Sequence, residues 1–424
     1  MECNAEFGDK VEVYKDKEIF EGIYLPSPEN GTFLLKLKSG YNIGFNRKDV
    51  IKVELVEKRV ENNPLFELVQ DGSKKTVGLV ILGGTIAARL NPGKGGVDFV
   101  ESPEDLFKYY PKVFDRVNVK VEVPFMKGSE DMDFKDWQKV AKVVTKLVNQ
   151  KDISGVIVTQ GTDTLHFTSS ALSFFLRDLH KPVAITYSQR SIDRASSDAS
   201  LNLECSAIIA TSDIAEVMTV GHADSNDEFC YAIPGTKVRK LHSSKRDAFR
   251  PVNTNPFARI SKNGIEKMAD YNIRDDSGKT TCDSKFSDKV ALLKFYPGQD
   301  PEILDFYLEK GYKGIVIEMP GLGQVATSNA RLSWTKKLKE VQEKGMIICA
   351  AAQTINGRLN PLVYVTGREL VKTGVIYLDD MLSETAFTKL SWVLGHEDWA
   401  KDREVIKEKM LNNFAREFNN KIVE

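Results

Sequence analysis

The pattern of hydrophobic and polar positions changes character near residue 76. Before this point, short runs of largely alternating apolar residues near 11–14, 33–37 and 51–55 are separated by Gly, Pro, Asn and Ser turns, which predicts β-strands. After it, short continuous apolar runs alternate with longer amphipathic stretches, as is typical of buried parallel strands joined by helices. The sequence therefore predicts a small SH3-like β-barrel followed by a larger α/β body.

The body is predicted to contain two α/β units, each with helices on both faces of a parallel sheet. The predicted strands are 77–82, 155–158, 182–186 and 207–210 in the first unit, and 290–295, 314–318 and 346–351 in the second. The predicted helices are 134–148, 165–179, 301–310 and 333–344, followed by an amphipathic C-terminal helix over 402–418. We expect this last helix to pack on the body.

These changes of pattern divide the chain into five parts. They are a β-barrel domain over 1–62, a linker over 63–75, a first α/β domain over 76–280, a second over 288–400 and the C-terminal helix over 401–424. A length of 424 residues is sufficient for two or three domains.

Composition and charge narrow the classes of function. The chain is 42% hydrophobic and 28% charged with a net charge of −1, so its surface as a whole offers no basic field for nucleic acid. Its five cysteines lack a Cys-x-x-Cys spacing, which favours a reducing, cytoplasmic setting. No apolar run approaches the roughly 20 residues that span a bilayer. The acidic residues near position 1 predict no signal peptide.

Two glycine–threonine turns carry the strongest chemical signal. Gly84-Thr85 and Gly161-Thr162 each follow an apolar run, so each threonine is expected at the carboxyl end of a buried strand, where α/β sheets bind ligands. The glycines allow a ligand to approach the backbone closely. The simpler interpretation is a strand-to-helix turn capped by Thr85 or by Asp163, and for Asp163 the capping and functional interpretations are equally supported.

Other residues near these turns could complete a site. Ser129 and Glu130 could open the next helix as a capping box, or could bind the carboxylate and ammonium groups of an amino acid. A lysine beside a carboxylate could act as a base, and Lys237, Lys240 and Lys245 are all candidates. The histidines nearest these motifs have no metal-ligand spacing, so no metal site is predicted.

Taken in order, these motifs resemble those of the L-asparaginase/glutaminase family. They read Leu82-Gly83-Gly84-Thr85-Ile86-Ala87, Ser129-Glu130-Asp131-Met132, Gln160-Gly161-Thr162-Asp163-Thr164, and Lys181-Pro182-Val183 through Ser188-Gln189-Arg190 to Asn202-Leu203. The resemblance implies an asparaginase-like body of two domains with parallel sheets, in which a threonine forms an acyl-enzyme. The catalytic residues that it implies are Thr85, Thr162, Asp163 and Lys240. The substrate-binding residues that it implies are Ser129, Glu130, Gly84 and Gly161.

The extra N-terminal domain and the segments 237–250 and 353–368 resemble one branch of this family. Its members are glutaminase components of archaeal Glu-tRNA(Gln) amidotransferases. The resemblance implies glutamine as substrate and a partner, the E subunit of the amidotransferase, which uses ATP and Mg and holds most of the Glu-tRNA(Gln). It also implies a homodimeric core and no cofactor in this chain, which has no Gly-x-x-x-x-Gly-Lys-[Ser/Thr] loop. The alternative is a free L-asparaginase/glutaminase with an accessory domain.

The sequence departs from the family pattern at three places. Gln160 stands where the family usually has histidine, and Leu82 where it usually has threonine. The loop 88–96 lacks the usual tyrosine, and the nearest are Tyr109 and Tyr110. We therefore hypothesise that glutaminase activity is weak until a partner orders this glycine-rich loop.

Overall fold

The computed structural model describes residues 5–27, 29–39, 41–58, 71–91, 96–99, 113, 115–194 and 196–421. The strands are β1 Lys10–Lys15, β2 Glu18–Leu25, β3 Thr32–Leu37, β4 Asn42–Asn46, β5 Lys52–Glu57, β6 Thr76–Ile81, β7 Ala88–Asn91, β8 Gly96–Phe99, β9 Asn118–Glu122, β10 Ile153–Thr159, β11 Leu176–Arg177, β12 Val183–Thr186, β13 Val217–His222, β14 Phe229–Pro234, β15 Val238–Lys240, β16 Phe249–Pro251, β17 Ala258–Ser261, β18 Gly264–Lys267, β19 Thr281–Cys282, β20 Val290–Lys294, β21 Gly314–Met319, β22 Ile347–Ala352 and β23 Ile376–Tyr377. The helices are α1 Phe134–Val148, α2 Leu165–Phe175, α3 Ala199–Ala210, α4 Ile303–Glu309, α5 Thr335–Glu343, α6 Val365–Val371, α7 Ser383–Leu394 and α8 Arg403–Leu411, with 3-10 turns at Thr85–Ala87 and Ser129–Asp131.

The predicted small β domain is confirmed as a five-stranded antiparallel sheet in the order β4-β3-β2-β1-β5. Alternation along β1 turns Val11 and Val13 inward, where they are buried with Leu35. These side chains belong to a core cluster of their own, which contains residues of this domain alone. The domain therefore has its own hydrophobic centre.

The first α/β unit is built on an eight-stranded sheet in the order β18-β17-β14-β13-β12-β10-β6-β9. Strands β9, β6, β10, β12 and β13 run parallel, so their carboxyl ends meet at one edge. All seven positions of β10 are buried, because helices cover both faces of the sheet. Helix α1 begins where predicted, since Asp133 accepts the N–H of Lys135 and Asp136 and forms a capping box with Asp136.

The second unit is a parallel four-stranded sheet in the order β20-β21-β22-β23. Helix α7 packs against both units, and Trp392 on it stacks on Phe174 of α2 with ring centroids 5.7 Å apart. Residues of both units share one large core cluster. In the part of the chain that the structure describes, no helix is long and apolar enough to cross a bilayer.

Three predicted elements need correction. The apolar run 207–210, predicted as a strand, is the last turn of α3, whose sides are nearly all buried, so it lacks the polar face that marks a helix. The helix predicted over 165–179 ends at Phe175, because the next two residues pair with β19. The C-terminal helix ends at Leu411 rather than 418. At its end, Lys389 Nζ donates to the carbonyls of Met410 and Asn412, which no longer accept helical hydrogen bonds.

Candidate active site

The loops that follow β6, β9 and β10 meet at the carboxyl edge of the first sheet. The N–H of Leu82 donates to the carbonyl of Thr159 at 3.0 Å, and the N–H of Lys127 donates to the carbonyl of Leu82 at 2.9 Å. These two hydrogen bonds join the loop before the Ser129 turn to the end of β6, and the end of β6 to the end of β10. The edge predicted from the apolar runs therefore brings the three motifs together.

The two glycine turns pack backbone against backbone. Gly84 has φ of +80°, and a Cβ added there would overlap the backbone N and Cα of Gly161. A side chain on Gly161 would in turn press on Ser129. Gly84 is required by the close approach of the loops that carry Thr85 and Thr162, and Gly161 lies tightly against the Ser129 loop.

We expect Gly84→Ala to lower kcat/KM for glutamine by about 10²-fold, because the added methyl must push the two threonine loops apart. Gly298→Ala is the matched control, since Gly298 has φ of +79° but nothing within 4 Å of an added Cβ. Steady-state ammonia release measures both variants. If kcat/KM falls equally in Gly84→Ala and Gly298→Ala, the effect is due to backbone strain rather than to separation of the threonine loops.

Thr162, Asp163 and Lys240 form a hydrogen-bonded group. Lys240 Nζ lies 2.8 Å from Thr162 Oγ1 and 2.7 Å from Asp163 Oδ1. The Lys240 side chain is 11% exposed, whereas that of Asp163 is 65% exposed. A lysine held against a threonine hydroxyl can take or return the hydroxyl proton, and the carboxylate balances its charge.

The three lysine candidates lie in different surroundings. Lys240 contacts Thr162, whereas Lys245 is exposed. Lys237 is buried and pairs with Asp380 at 2.7 Å, and burial lowers its pKa. Of the three candidates, the geometry selects Lys240.

Ser129, Glu130 and Thr85 lie on the two loops that pack against the Thr162 turn. Ser129 is buried, and its Oγ accepts the N–H of Asp163 at 3.1 Å, so it fixes the Thr162 turn directly. Its carbonyl accepts the Thr164 hydroxyl at 2.6 Å. Glu130 is exposed beside it, and Thr85 is partly exposed at the start of its 3-10 turn. Thr85, Ser129 and Glu130 therefore lie on loops that adjoin Lys240 and Thr162.

A largely buried polar cluster around Glu384, which includes the neighbour of Lys240 in the chain, is not predicted by the sequence. Arg239 Nη2 lies 3.1 Å from Glu384 Oε1, and His166 Nε2 lies 3.8 Å from the same oxygen. Burial, and then the charges of Arg239 and Lys240, lower the pKa of His166 to about 4. The only sequence signal is proximity, because His166 and Arg239 lie beside the motifs whereas Glu384 is far along the chain.

The buried His166 makes stability depend on pH. Its folded-state pKa lies below the ordinary 6.5, so as the pH falls the unfolded chain gains the proton first and stability is lost between about pH 6.5 and about pH 4. Between about pH 7.5 and about pH 5, we expect the free energy of unfolding of His166→Gln to fall by about 2 kcal/mol less than that of wild type. Urea unfolding at the two pH values tests this, with the exposed His242→Gln as control. Equal losses in wild type and His166→Gln would contradict it.

Comparison with known proteins assigns a family to each of three parts of the chain. Models of the GatD N-terminal domain, of asparaginase (N-terminal) and of the glutaminase/asparaginase C-terminal domain match residues 5–56, 76–271 and 289–410. The D subunit of glutamyl-tRNA(Gln) amidotransferase from Pyrococcus horikoshii is 44% identical over 98% of this chain and 95% of its own. The chain belongs to the GatD family of glutamyl-tRNA(Gln) amidotransferase subunits. The GatD protein of Methanothermobacter thermautotrophicus is 38% identical over 98% of this chain and 95% of its own.

Solved structures of the wider asparaginase family share the body. The thermostable L-asparaginase from Thermococcus kodakarensis matches with a TM-score of 0.72 and 26% identity, over 82% of this chain and all of that one. The 82% of this chain that matches corresponds to the two-domain asparaginase body without the small β domain. The predicted asparaginase-like fold is confirmed, and the small β domain distinguishes this GatD family member from that enzyme. Residues 92–95 of the loop without tyrosine, and both Tyr109 and Tyr110, lie outside the described residues.

Proposed function

We propose that this chain is the glutaminase subunit of a Glu-tRNA(Gln) amidotransferase and uses Thr85, Thr162, Asp163 and Lys240. The contact of Lys240 Nζ with both Thr162 Oγ1 and Asp163 Oδ1 carries the proposal, because it joins a potential nucleophile to a base and a counter-charge. Membership of the GatD family supports the physiological role. The enzyme would release ammonia from glutamine for the conversion of Glu-tRNA(Gln) to Gln-tRNA(Gln).

The proposed reaction has two halves. One threonine hydroxyl attacks the glutamine amide carbon, and the C–N bond breaks to give a glutamyl ester and ammonia. Water, activated at the other threonine, then hydrolyses the ester to glutamate and restores the hydroxyl. Lys240 would move the proton, while backbone N–H groups of the Gly84 and Gly161 turns would stabilise the oxyanion.

Substrate binding is proposed on the loop that follows β9. Glu130 is exposed and acidic, so it could pair with the α-ammonium group of glutamine. The Ser129 hydroxyl could bind the α-carboxylate, although it already accepts the N–H of Asp163. Its single proton remains free to donate to a carboxylate, so both roles are compatible.

Partners and cofactors are proposed from the family. The E subunit of the amidotransferase would bind ATP and Mg and hold most of the Glu-tRNA(Gln), which suits a chain whose net charge is −1. We propose a homodimer of this chain at the core of a heterotetramer. A cytoplasmic setting is supported by Cys205, Cys230, Cys282 and Cys349, which are all free thiols.

We expect ammonia release from glutamine to rise when the E subunit and Glu-tRNA(Gln) are added, because a partner would complete the loop that lacks the family tyrosine. The experiment compares glutamine with asparagine, with and without the partner and the tRNA. Fast asparagine hydrolysis at a rate independent of the partner would instead identify a free L-asparaginase. Structural similarity to such an enzyme favours this alternative. A rate of glutamine hydrolysis that does not change when the partner and the tRNA are added would contradict the activation hypothesis but not the glutaminase function.

A further inference from the structure

Lys240 lies on a hairpin that cannot hold its own position. Strand β15 has three residues and pairs only with the equally short β16, in a sheet separate from the eight-stranded one. An isolated two-stranded hairpin is marginally stable in water. Contacts from outside the hairpin must therefore fix the Lys240 ammonium group against Thr162.

The first unit holds the second strand of the hairpin, where Phe249 packs against Tyr187 in the core, and one segment of the second α/β unit holds the residues before Lys240. Lys237 Nζ lies 2.7 Å from Asp380 Oδ2, and the Thr385 hydroxyl donates to the carbonyl of Thr236 at 2.8 Å. Arg239, adjacent to Lys240, forms the ion pair with Glu384. Segment 380–385 thus contacts the residues on the N-terminal side of Lys240 three times.

Glu384 is the contact nearest to Lys240 along the hairpin and is itself firmly held. It is buried at the start of α7, and Ser383 Oγ lies 3.2 Å from its Oε2 and 2.6 Å from Glu318 Oε1. Because the pKa of His166 is about 4, that ring is neutral at neutral pH. Arg239 is therefore the charged partner of Glu384.

We propose that Glu384 is a positioning residue for Lys240 and that it acts through Arg239. This inference rests on the proposed function, in which Lys240 moves the proton at Thr162. Through this ion pair the second α/β unit sets the position of a proton-transfer group that belongs to the first unit.

Loss of the Glu384 charge would leave Arg239 unpaired in a partly buried place, and Arg239 would turn toward solvent. The backbone at Lys240 would move with it, and proton transfer is sensitive to displacements of about 1 Å. The Glu384 carboxylate is bonded to Arg239 and Ser383 rather than to the proposed glutamine-binding loop, so glutamine binding would be preserved. The expected signature is a fall in kcat at constant KM.

The test measures glutamine hydrolysis by Glu384→Gln, Arg239→Gln and the double variant, together with their thermal unfolding. We expect each single variant to lower kcat about tenfold with KM within about twofold. The kcat of the double variant should be no lower than that of the less active single variant, because both changes break the same ion pair. Additive losses, or a rise in KM that accounts for the whole effect, would overturn the inference.

Asp283→Asn is the matched control for a general loss of domain packing. Asp283 pairs with His396 at 2.9 Å near the other end of α7, so this variant breaks a second contact to the same helix. It should lower the unfolding midpoint comparably and leave kcat unchanged. If its kcat falls as much as that of Glu384→Gln, the role of Glu384 is structural and the inference fails.

Lys240→Met separates this inference from the proposed function. If Lys240→Met retains wild-type turnover, the proposed use of Lys240 in proton transfer fails whatever the other variants do. If Lys240→Met is inactive while Glu384→Gln and Arg239→Gln turn over normally, only the positioning role fails. Should Glu384→Gln not fold, Arg239→Lys replaces it, with a smaller fall in kcat expected and unchanged turnover contradicting the role.

Discussion

Thr162→Ala is expected to lower kcat for glutamine hydrolysis by about 10³-fold or more, because it removes the hydroxyl against which Lys240 is held. The effect should be on turnover, since the hydroxyl is required for bond formation or for activating water rather than for binding. Steady-state ammonia release with the E subunit and Glu-tRNA(Gln) present gives kcat and KM. Thr85→Ala should show a loss of similar size.

Thr373→Ala is a suitable control for Thr162→Ala. Thr373 is buried and its hydroxyl donates to the carbonyl of Leu370 at 2.6 Å, but it lies in the second α/β unit on the loop after α6. This variant should keep wild-type turnover. More than a tenth of wild-type kcat in Thr162→Ala would exclude Thr162 from the chemistry. Mass spectrometry of both threonine variants with glutamine would show which hydroxyl carries the ester.

The second large effect is on stability. Lys389 and Glu417 form an ion pair at 2.6 Å with both side chains 0% exposed, and Lys389 also donates to the carbonyl of Met410 at 2.9 Å. Removing one member leaves the other charge buried without an opposite charge to pair with. We expect Lys389→Met to lower the free energy of unfolding by about 3–5 kcal/mol.

The double variant Lys389→Met/Glu417→Leu tests this explanation. It removes both charges, so it should recover a large part of the stability that the single variant loses. Lys336→Met is the control, since Lys336 is exposed beside Glu340 and should change stability by at most about 1 kcal/mol. Urea unfolding measures all of them. A double variant no more stable than Lys389→Met would show that packing, not charge, causes the loss.

The threonine turns could be predicted because their signal is local. A glycine–threonine turn after a continuous apolar run has few structural uses, and the order of parallel strands brings such turns to one edge. Thr85, Thr162 and Ser129 accordingly lie on adjacent loops. The apolar pattern also predicts β10 and β21, whose central residues 156–158 and 315–317 are unbroken apolar runs.

The choice of lysine and its supports could not be derived from spacing. Lys237, Lys240 and Lys245 occupy one short segment, and only tertiary contacts distinguish the residue at Thr162 from the one at Asp380. Glu384 lies in an ordinary helix start, so nothing local marks it. The strand prediction for 207–210 is wrong because burial on nearly every side removes the periodicity that separates helix from strand.

The hairpin contacts also impose an order on synthesis of the chain. Lys237 leaves the ribosome 143 residues before Asp380, and Thr236 leaves 179 residues before Ala415, whose carbonyl accepts its hydroxyl. At roughly 5–20 residues per second, the lysine hairpin waits roughly 7–30 s for its first contact with the second unit. A nascent chain that already carries both threonines and Lys240 therefore lacks the contacts of segment 380–385 with the hairpin until the second unit has been made.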